Sequence, residues 1–536
     1  MEREEIEKLI ADRDYNELRK ELNELNEADI ASILEEVPNV FSYILGGIAS
    51  ACQWDTLALL LAGTVLGLMF GAIPGLNATL AMVLILPLTY SMSPSGGIGL
   101  LMGAYVGGIT GGLISAITIG IPGTAASIAT TLDGHPMSKR GESGRALGIA
   151  SASSFYGGLL GWLALAFLTP QLSKAALMIG SFEYSAIILF GFTVIIGVSG
   201  DSILKSMIMM LIGLIISVVG LDPLHGVQRL TFGVRALDTG FQTVPLLSGV
   251  YVVSRALEET ENLKEGSICP PSRLDDLIAQ LWKVLKQWKA IIISSVIGIL
   301  IGILPGIGAS VAPFLAYDQV KKLSKTPQDF GQGAPEGIVA SEACNNATIG
   351  GALVPALALG IPGDIPVVIL ISGLMLHGYQ VGPTFFASNP AMVYFIYAAL
   401  LLANALMLLV LFSFGIRLFT RLMSVSKIIL IPIIMVAGLL GAYNIYHNMD
   451  DVWIAFFAGL FAYGAIKTGF PLTPMIIAAI LGPLLEKNLR IALTLSNGSL
   501  TPLVTRPISL VFILLTAATL TAFVVREIRG KKKGAP

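Results

Sequence analysis

The stretch Gly71-Ala72-Ile73-Pro74-Gly75-Leu76 interrupts an apolar region of this chain with a proline and a glycine, and three similar stretches follow it. These are Gly120-Ile121-Pro122-Gly123-Thr124, Gly302-Ile303-Leu304-Pro305-Gly306-Ile307 and Gly360-Ile361-Pro362-Gly363-Asp364. In hydrocarbon every backbone N–H and C=O needs a partner, so such a break is tolerated only where the freed groups face protein, water or a ligand. Paired breaks in two corresponding halves of a chain indicate the binding site of a transporter.

The composition is that of a protein embedded in a bilayer. Of 536 residues, 54% are hydrophobic and 13% are charged, and the mean hydropathy is +0.79, whereas soluble domains average about 25% charged residues. Apolar runs long enough to cross about 30 Å of hydrocarbon are residues 97–121, 146–168, 186–200, 203–220, 290–304, 349–376, 391–414, 428–442, 453–466 and 508–525. Two shorter runs, 76–90 and 471–485, are predicted to be half-span hairpin helices, so we expect roughly ten to fourteen membrane segments.

Charge and hydrophobicity divide the chain into five parts. We expect a short acidic amphipathic helical extension, a first membrane repeat, a cytoplasmic connector, a second membrane repeat and a basic cytoplasmic tail, at residues 1–38, 41–255, 256–289, 290–525 and 526–536. Residues 1–36 carry thirteen Asp or Glu and five Lys or Arg, but the net charge of the whole chain is −2 and gives no support for nucleic-acid binding. The N-terminus has no apolar run typical of a cleaved secretory signal.

The distribution of basic residues predicts that the two halves are inverted. After the first break of the first half, residues 91–103 carry no Lys or Arg, whereas the corresponding residues 317–335 of the second half carry three. After the second break the order reverses, because residues 131–145 carry three basic residues and residues 371–390 carry none. Since cytoplasmic loops are enriched in Lys and Arg, equivalent loops are expected on opposite faces of the membrane.

Side chains near the breaks are candidates for binding an anion. A helix that begins inside the membrane presents unpaired N–H groups and the positive end of its dipole. The candidates in the first half are Pro74, Gly75, Asn77, Thr79, Pro122, Gly123, Thr124 and Ser127, and those in the second half are Gly308, Ser310, Asn345, Asn346, Pro362 and Gly363. The alternative for the hydroxyl and amide side chains is an ordinary role in helix capping and packing.

Three acidic residues, Asp133, Glu342 and Asp364, are candidates for binding a coupling ion. A bare carboxylate beside a substrate anion would repel it unless the carboxylate were protonated or paired with a cation. The alternatives are a turn at Asp133, a helix-start or loop-tying role for Glu342 and its neighbouring asparagines, and a helix N-cap at Asp364. His135 and His377 are expected in solvated loops that follow helices.

Motifs of enzymes and of metal sites are missing from the sequence. GxSxG, HExxH and Walker patterns are absent, and Cys52, Cys269 and Cys344 form no CxxC pair. We therefore expect no catalytic activity, no metal site and no cofactor other than a co-transported Na+ or H+. Glycine pairs such as Gly107-Gly108 and Gly157-Gly158 lie in apolar stretches and predict close helix packing.

The breaks belong to a longer series of motifs. It comprises residues 71–76, Leu86-Pro87-Leu88-Thr89, residues 121–130, Leu132-Asp133-Gly134-His135-Pro136-Met137, residues 330–337, Glu342-Ala343-Cys344-Asn345-Asn346-Ala347, residues 359–363 and residues 481–490. With this series, over about residues 45–525, the chain resembles the large membrane subunit of the tripartite tricarboxylate transporters. It departs from that pattern in its acidic extension, at Cys344 (usually Ala) and at Asp364 (more often Ser).

The resemblance implies a secondary carrier for carboxylates that is driven by an ion gradient. It also implies a small membrane subunit and an extracytoplasmic binding protein as partners, and an elevator-like movement of a transport domain against a scaffold. A homo-oligomer is compatible with it, and nucleic acid is not an expected partner.

The sequence thus predicts an all-α polytopic membrane protein with inverted-topology repeats, broken helices and re-entrant hairpins. We expect it in the cell inner membrane, with both termini cytoplasmic, as an importer of small organic anions, most of all di- or tricarboxylates. The alternative is a passive anion channel, or a non-transporting partner that docks a cytosolic protein through its N-terminal helices.

Overall fold

The structure is a computed structural model and describes residues 40–177, 179–199, 202–222, 226–261, 277–305, 308–422 and 425–533. The predicted extension at residues 1–38 lies outside these ranges, as does part of the predicted connector. The division of the chain into five parts therefore stays a prediction.

The first half of the described chain contains ten α-helices. They are α1 Val40–Ala51, α2 Trp54–Ala72, α3 Ala78–Thr89, α4 Pro94–Thr118, α5 Ile128–Lys139, α6 Ser143–Ala176, α7 Ser181–Val198, α8 Ile203–Val218, α9 Thr243–Leu247 and α10 Ser254–Glu261. Short 3-10 helices cover Ala125–Ser127 and Arg235–Leu237, and a π-helical turn, Ser248–Val253, joins α9 to α10. Strands β1 Gly220–Leu221 and β2 Gln228–Arg229 form an antiparallel hairpin in which Gly220 pairs with Arg229.

The second half of the described chain contains thirteen α-helices. They are α11 Leu277–Leu285, α12 Trp288–Ile303, α13 Gly308–Leu323, α14 Pro335–Leu359, α15 Ile365–Leu376, α16 Phe385–Ser388, α17 Pro390–Val410, α18 Ile416–Leu422, α19 Lys427–Tyr446, α20 Met449–Lys467, α21 Thr473–Leu495, α22 Pro502–Thr505 and α23 Pro507–Lys533. A 3-10 helix covers Pro327–Asp329, and a π-helical turn, Leu411–Gly415, joins α17 to α18.

The same order of elements surrounds the breaks in both halves. A membrane helix (α2 or α12) leads to a break, a helix of 12 or 16 residues (α3 or α13), a 25-residue helix (α4 or α14), a second break and a 12-residue helix (α5 or α15). This is the order that the paired proline-glycine motifs predict. The orientation of each half relative to the membrane stays a prediction.

Length and apolar character make six helices of the described chain candidate membrane spans. They are Trp54–Ala72, Pro94–Thr118, Ser143–Ala176, Pro390–Leu422, Ile428–Ile445 and Met449–Lys467. The pair α11 and α12 forms a seventh candidate, bent by 84°, and six apolar helices are shorter, including α3 and α15. The all-α, polytopic fold class is thus confirmed.

The two 25-residue helices form the interior. Every residue of α4 from Gly96 and of α14 from Gly337 onward is buried. Glycines in α4 follow one another every four residues, and a methyl group on Gly107 would lie 2.3 Å from the Thr64 carbonyl oxygen of α2. In α6, a methyl group on Gly157 would lie 2.1 Å from the Ala343 oxygen of α14. The predicted close packing is confirmed, since only hydrogen fits between these backbones.

Two local predictions are wrong. The run 471–485 is not a half-span helix, because α21 continues as one helix of 23 residues through Pro483 to Leu495. His135 is not in a solvated loop, because it lies within α5 with its Nδ1 3.2 Å from the Ile117 oxygen. His377 does follow the end of α15, but its Nε2 is buried.

The β-hairpin joins the first half to α21 through charge. Arg229 contacts Glu486 at 2.5 Å, and Arg490 contacts Asp222 at 3.0 Å and Glu486 at 2.8 Å. Hydrogen bonding to Glu486 raises the pKa of Arg229, so this guanidinium stays charged at any working pH.

Candidate substrate and ion site at the broken helices

The first break ends α2 at Ala72 and begins α3 at Ala78. Asn77 is the N-cap of α3, and its side chain accepts a hydrogen bond from the Leu80 N–H at 2.9 Å. Gly75 has φ +96°, a conformation that favours glycine. Its carbonyl oxygen accepts a hydrogen bond from Arg255 Nε of α10 at 2.8 Å. Arg255, which was not among the residues predicted from the sequence, therefore stabilises the break through a hydrogen bond to its backbone.

The second break follows α4. Gly120, with φ +70°, ends the helix, and Thr124 is extended before the 3-10 turn that leads into α5. The hydroxyl oxygens of Thr124 and Ser127 lie 3.1 Å apart. A methyl group on Gly123 would lie 1.9 Å from the Gly71 carbonyl oxygen at the end of α2. The two breaks of the first half are thus in contact.

The second half repeats this arrangement. Gly360, with φ +68°, ends α14, and a methyl group on Gly363 would lie 2.4 Å from the Gly302 oxygen at the end of α12. Asp364 is the N-cap of α15 and accepts a hydrogen bond from the Val367 N–H at 3.0 Å. Pro362 and Gly363 are buried. α13 begins at Gly308, and the surroundings of Gly308 and Ser310 lie outside the part of the chain that the structure describes.

Three hydrogen bonds connect α4 of the first half to α14 and α15 of the second half. Tyr105 donates to Asp364 Oδ2 at 2.6 Å, Thr110 donates to Asn346 Oδ1 at 2.9 Å, and Asn345 Nδ2 donates to the Ile109 oxygen at 3.3 Å. The sequence did not single out Tyr105 and Thr110. A polar residue amid the glycines of an apolar helix is the signal that could have found Thr110.

Helices of one half also pack on the broken helices of the other. α3 contacts α15, and α13 contacts both α5 and the 3-10 turn Ala125–Ser127. Each helix that follows a first break therefore lies against the region of a second break from the opposite half. The four breaks belong to one connected assembly.

Glu342 lies in the interior of α14, where it is fully buried. Its Oε1 accepts a hydrogen bond from Thr130 of α5 at 2.5 Å, and its Oε2 accepts one from Ser154 of α6 at 2.9 Å. The Asn345 side chain lies beside it, one turn along the helix. The alternative of a helix-start role for Glu342, Asn345 and Asn346 does not hold, because α14 begins earlier, at Pro335.

Two amide atoms near this carboxylate have no hydrogen-bond partner within the described part of the chain. They are Asn345 Oδ1 and Asn346 Nδ2, in side chains that are fully buried. Buried polar groups are rarely left unpaired, and an exception often marks a place for a ligand, ion or water. These two amides therefore remain the strongest of the predicted binding residues in the second half.

Asp133 is the most fully bonded of the three predicted ion ligands. Its Oδ1 accepts hydrogen bonds from the N–H groups of Gly331, Gly333 and Ala334 at 2.7 to 2.8 Å, and its Oδ2 accepts one from the Tyr317 hydroxyl at 2.7 Å. The carboxylate thus fastens α5 to the loop that precedes α14. This geometry favours a structural role over ion binding.

Groups of three or more His, Cys, Asp or Glu that could hold a metal are not found among the described residues. The site is instead made of helix starts, hydroxyls, amides and two buried carboxylates. Such groups can bind an anion at a helix N-terminus and a proton or small cation nearby.

Comparisons with known proteins identify the family of this polytopic membrane protein. A model of the tripartite tricarboxylate transporter TctA family matches residues 57–477. An uncharacterised 52.8 kDa protein in the TAR-I ttuC' 3' region of Agrobacterium vitis is 32% identical over 474 residues, which are 88% of this chain and 93% of that protein. A second Agrobacterium vitis protein, from the TAR-II ttuC' 3' region, is 34% identical over 235 residues, which are 44% of this chain and 97% of that protein. No solved structure matches the chain. The chain belongs to the TctA family of the tripartite tricarboxylate transporters.

Proposed function

We propose that this protein imports small organic anions, most of all di- or tricarboxylates, as the membrane permease subunit of a secondary transporter driven by an ion gradient. Membership of the family already makes it a multi-pass protein of the cell membrane and a subunit of a tricarboxylate transporter. The observation that carries the proposal is the contact between paired helix breaks, from Gly123 to Gly71 and from Gly363 to Gly302. A small membrane subunit and an extracytoplasmic binding protein are its proposed partners.

The substrate carboxylate binds at the breaks of the first half. In the second half the start of α15 is already capped by its own carboxyl group, Asp364. The corresponding start in the first half has the neutral residues Thr124 and Ser127, and the preceding Ile121 is 45% exposed. A helix start without a carboxylate of its own keeps its positive dipole end for a ligand.

Neutral donors suit a carrier, which must release what it binds. A buried arginine would hold a carboxylate more tightly, but it would also be costly to desolvate. Asn77 and Thr79 at the start of α3 complete the first-half site, and Asn345 and Asn346 approach it from the second half. The halves move as inverted repeats, with the broken helices in an elevator-like transport domain.

Uptake into liposomes tests this function. We expect purified protein, with its partner subunits, to accumulate labelled citrate faster under an imposed H+ or Na+ gradient than without one. Accumulation that is the same with and without either gradient would refute the carrier proposal. Flux that does not saturate and shows no counterflow would point to a channel instead.

A double variant tests the first-half site. We expect Thr124→Ala with Ser127→Ala to raise the citrate concentration for half-maximal uptake by roughly thirtyfold, because two hydrogen bonds are lost and each contributes about 1 kcal/mol. Thr131→Ala is the matched control, since that hydroxyl lies in α5, four residues after Ser127, and donates to the Ile128 oxygen. An unchanged half-maximal concentration in the double variant would place the substrate elsewhere.

A further inference from the structure

Within the described ranges, Glu342 is a buried carboxylate without an opposite charge beside it. The side chains described around it are the hydroxyls of Thr130 and Ser154 and the amide of Asn345. Burying an ionised carboxylate without a counter-charge is expensive, and inside a membrane such a group is usually functional.

A count of hydrogens shows how this environment is satisfied. Four contacts join the group: Thr130 to Glu342, Ser154 to Glu342, Thr130 to Ser341, and Ser341 to the Ile338 oxygen. The three hydroxyls supply three hydrogens, one each. Thr130 has one hydrogen and lies between two acceptors, so all four contacts are hydrogen bonds at once only if Glu342 carries the fourth hydrogen and the Thr130–Glu342 bond, which Thr130 donates when Glu342 is ionised, is reversed.

Titratable groups on the surrounding helices are engaged elsewhere. Asp133 of α5 is bonded to the loop before α14, and Tyr317 of α13 donates to Asp133. Tyr105 of α4 donates to Asp364, and Tyr156 of α6 donates to the Leu281 oxygen. Residues 290–303 of α12 contain no titratable side chain, and Cys344 of α14 is a buried thiol. A proton is therefore the group that completes the environment of Glu342.

The position of Glu342 links its proton to the proposed substrate site. Thr130 lies three residues after Ser127, one turn along from the second break, so the two hydroxyls share a helix face. If Glu342 loses its proton, it becomes an acceptor only, and Thr130 must turn its hydrogen from Ser341 towards Glu342. A change of charge at Glu342 in α14 therefore changes the hydrogen bonding of Thr130, which lies one turn from the second break of the first half.

We propose that Glu342 is the site that takes up and releases the coupling proton during transport. One H+ from the outer solution binds a carboxylate oxygen as substrate loads, and the same H+ leaves to the cytoplasm as the carboxylate forms again. Each cycle then carries one positive charge alongside the organic anion. This inference depends on the proposed function, because it assigns the ion that drives it.

Infrared difference spectroscopy of the full chain in lipid nanodiscs, recorded across pH, observes this proton directly. We expect a protonated-carboxyl C=O band that is lost in Glu342→Gln and kept in Glu336→Gln. Glu336 is the matched control because it lies in the first turn of the same helix, where it accepts a hydrogen bond from Ser324. An identical band in Glu342→Gln would overturn the assignment.

Transport by the same proteins separates this inference from the function. In liposomes, we expect an inward pH gradient to increase citrate accumulation for the wild type and for Glu336→Gln, but to leave it at the no-gradient level for Glu342→Gln. Glu342→Asp, which keeps a carboxyl group, should recover part of the response and excludes misfolding as the cause. Wild-type uptake that responds to Na+ but not to pH would overturn the proton site and leave the carrier intact, whereas no wild-type uptake would remove the function itself.

Discussion

The Tyr105 hydroxyl ties α4 of the first half to the N-cap of α15 in the second half. Both Tyr105 and Asp364 are buried, so water cannot replace a lost bond. We expect Tyr105→Phe to lower the free energy of unfolding by about 1–3 kcal/mol, the cost of leaving a buried acceptor without its donor. Thermal unfolding of the detergent-solubilised protein measures this. Tyr90→Phe, at an exposed ring, is the control, and equal midpoints for the two variants would contradict the prediction.

Gly123 is the contact between the two breaks of the first half. A methyl group there would lie 1.9 Å from the Gly71 oxygen, which is backbone and cannot turn aside. We therefore expect Gly123→Ala to separate the breaks, lower the unfolding midpoint and reduce citrate uptake at least tenfold, since small displacements at a site cost as much.

The control for this variant is Gly464→Ala. Gly464 lies in α20 with open space around its Cα, so the same substitution should be neutral or stabilise the helix by up to about 1 kcal/mol. Uptake by Gly123→Ala that equals uptake by Gly464→Ala would show that contact between the breaks is not needed for transport.

Individual caps could be anticipated from the sequence, whereas buried partners could not. Asn77 and Asp364 stand two residues or fewer after proline-glycine and before apolar runs, and both are N-caps, as local pattern allows one to expect. Thr130 and Ser154 are distant in sequence from Glu342, and nothing local marks them as its partners. Contacts that depend on how helices pack are not encoded in a short stretch.

At the scale of elements, Asp133 acts as a latch between α5 and the loop before α14. Three backbone N–H groups of that loop depend on one carboxylate. We expect Asp133→Ala to destabilise the protein by about 3 kcal/mol or more, because the N–H groups lose their acceptor together. Hydrogen exchange should show faster exchange at Gly331, Gly333 and Ala334, with little change at the start of α3.

Asp329→Ala is the control for the latch. Asp329 is exposed in the neighbouring 3-10 helix, so its loss should leave the three amides protected. Protection that persists in Asp133→Ala would mean that the loop is held by other contacts.

Element boundaries follow the sequence where a proline is joined by glycine. At the first break α2 ends just before Pro74, and Gly75 adopts a positive φ that other residues avoid; at the second break of each half a left-handed glycine, Gly120 or Gly360, ends the helix ahead of the proline. Pro483 has Gly482 before it, yet α21 runs through both. The expected end of a helix near 485 failed because the residues on either side continue the helical pattern, and packing against α8 supports it.

On the scale of the whole molecule, the two halves form one unit rather than two adjacent domains. Tyr105, Thr110 and Asn345 form hydrogen bonds between α4 and the helices α14 and α15, and the β-hairpin of the first half binds α21 of the second. Composition and the repeated motifs predicted two membrane halves with matching breaks. The interleaving of these halves could not be predicted, because a single sequence carries no record of which helices touch.

Division of the chain within residues 262–276 tests this interleaving. We expect the two polypeptides, when co-expressed, to purify together through a tag on either one, because the described cross-half contacts lie outside the division point.

Arg490→Gln should reduce the co-purified fraction severalfold, since Asp222 is only 5% exposed and loses a charged partner. Lys487→Gln, one turn away on the same helix, is the control. High salt should weaken the association of the halves only modestly, because most of the contact is apolar and salt screens only the partly exposed ion pairs. Halves that purify separately in the absence of any mutation would show that the connector, and not the packing of α4 against α14, holds the molecule together.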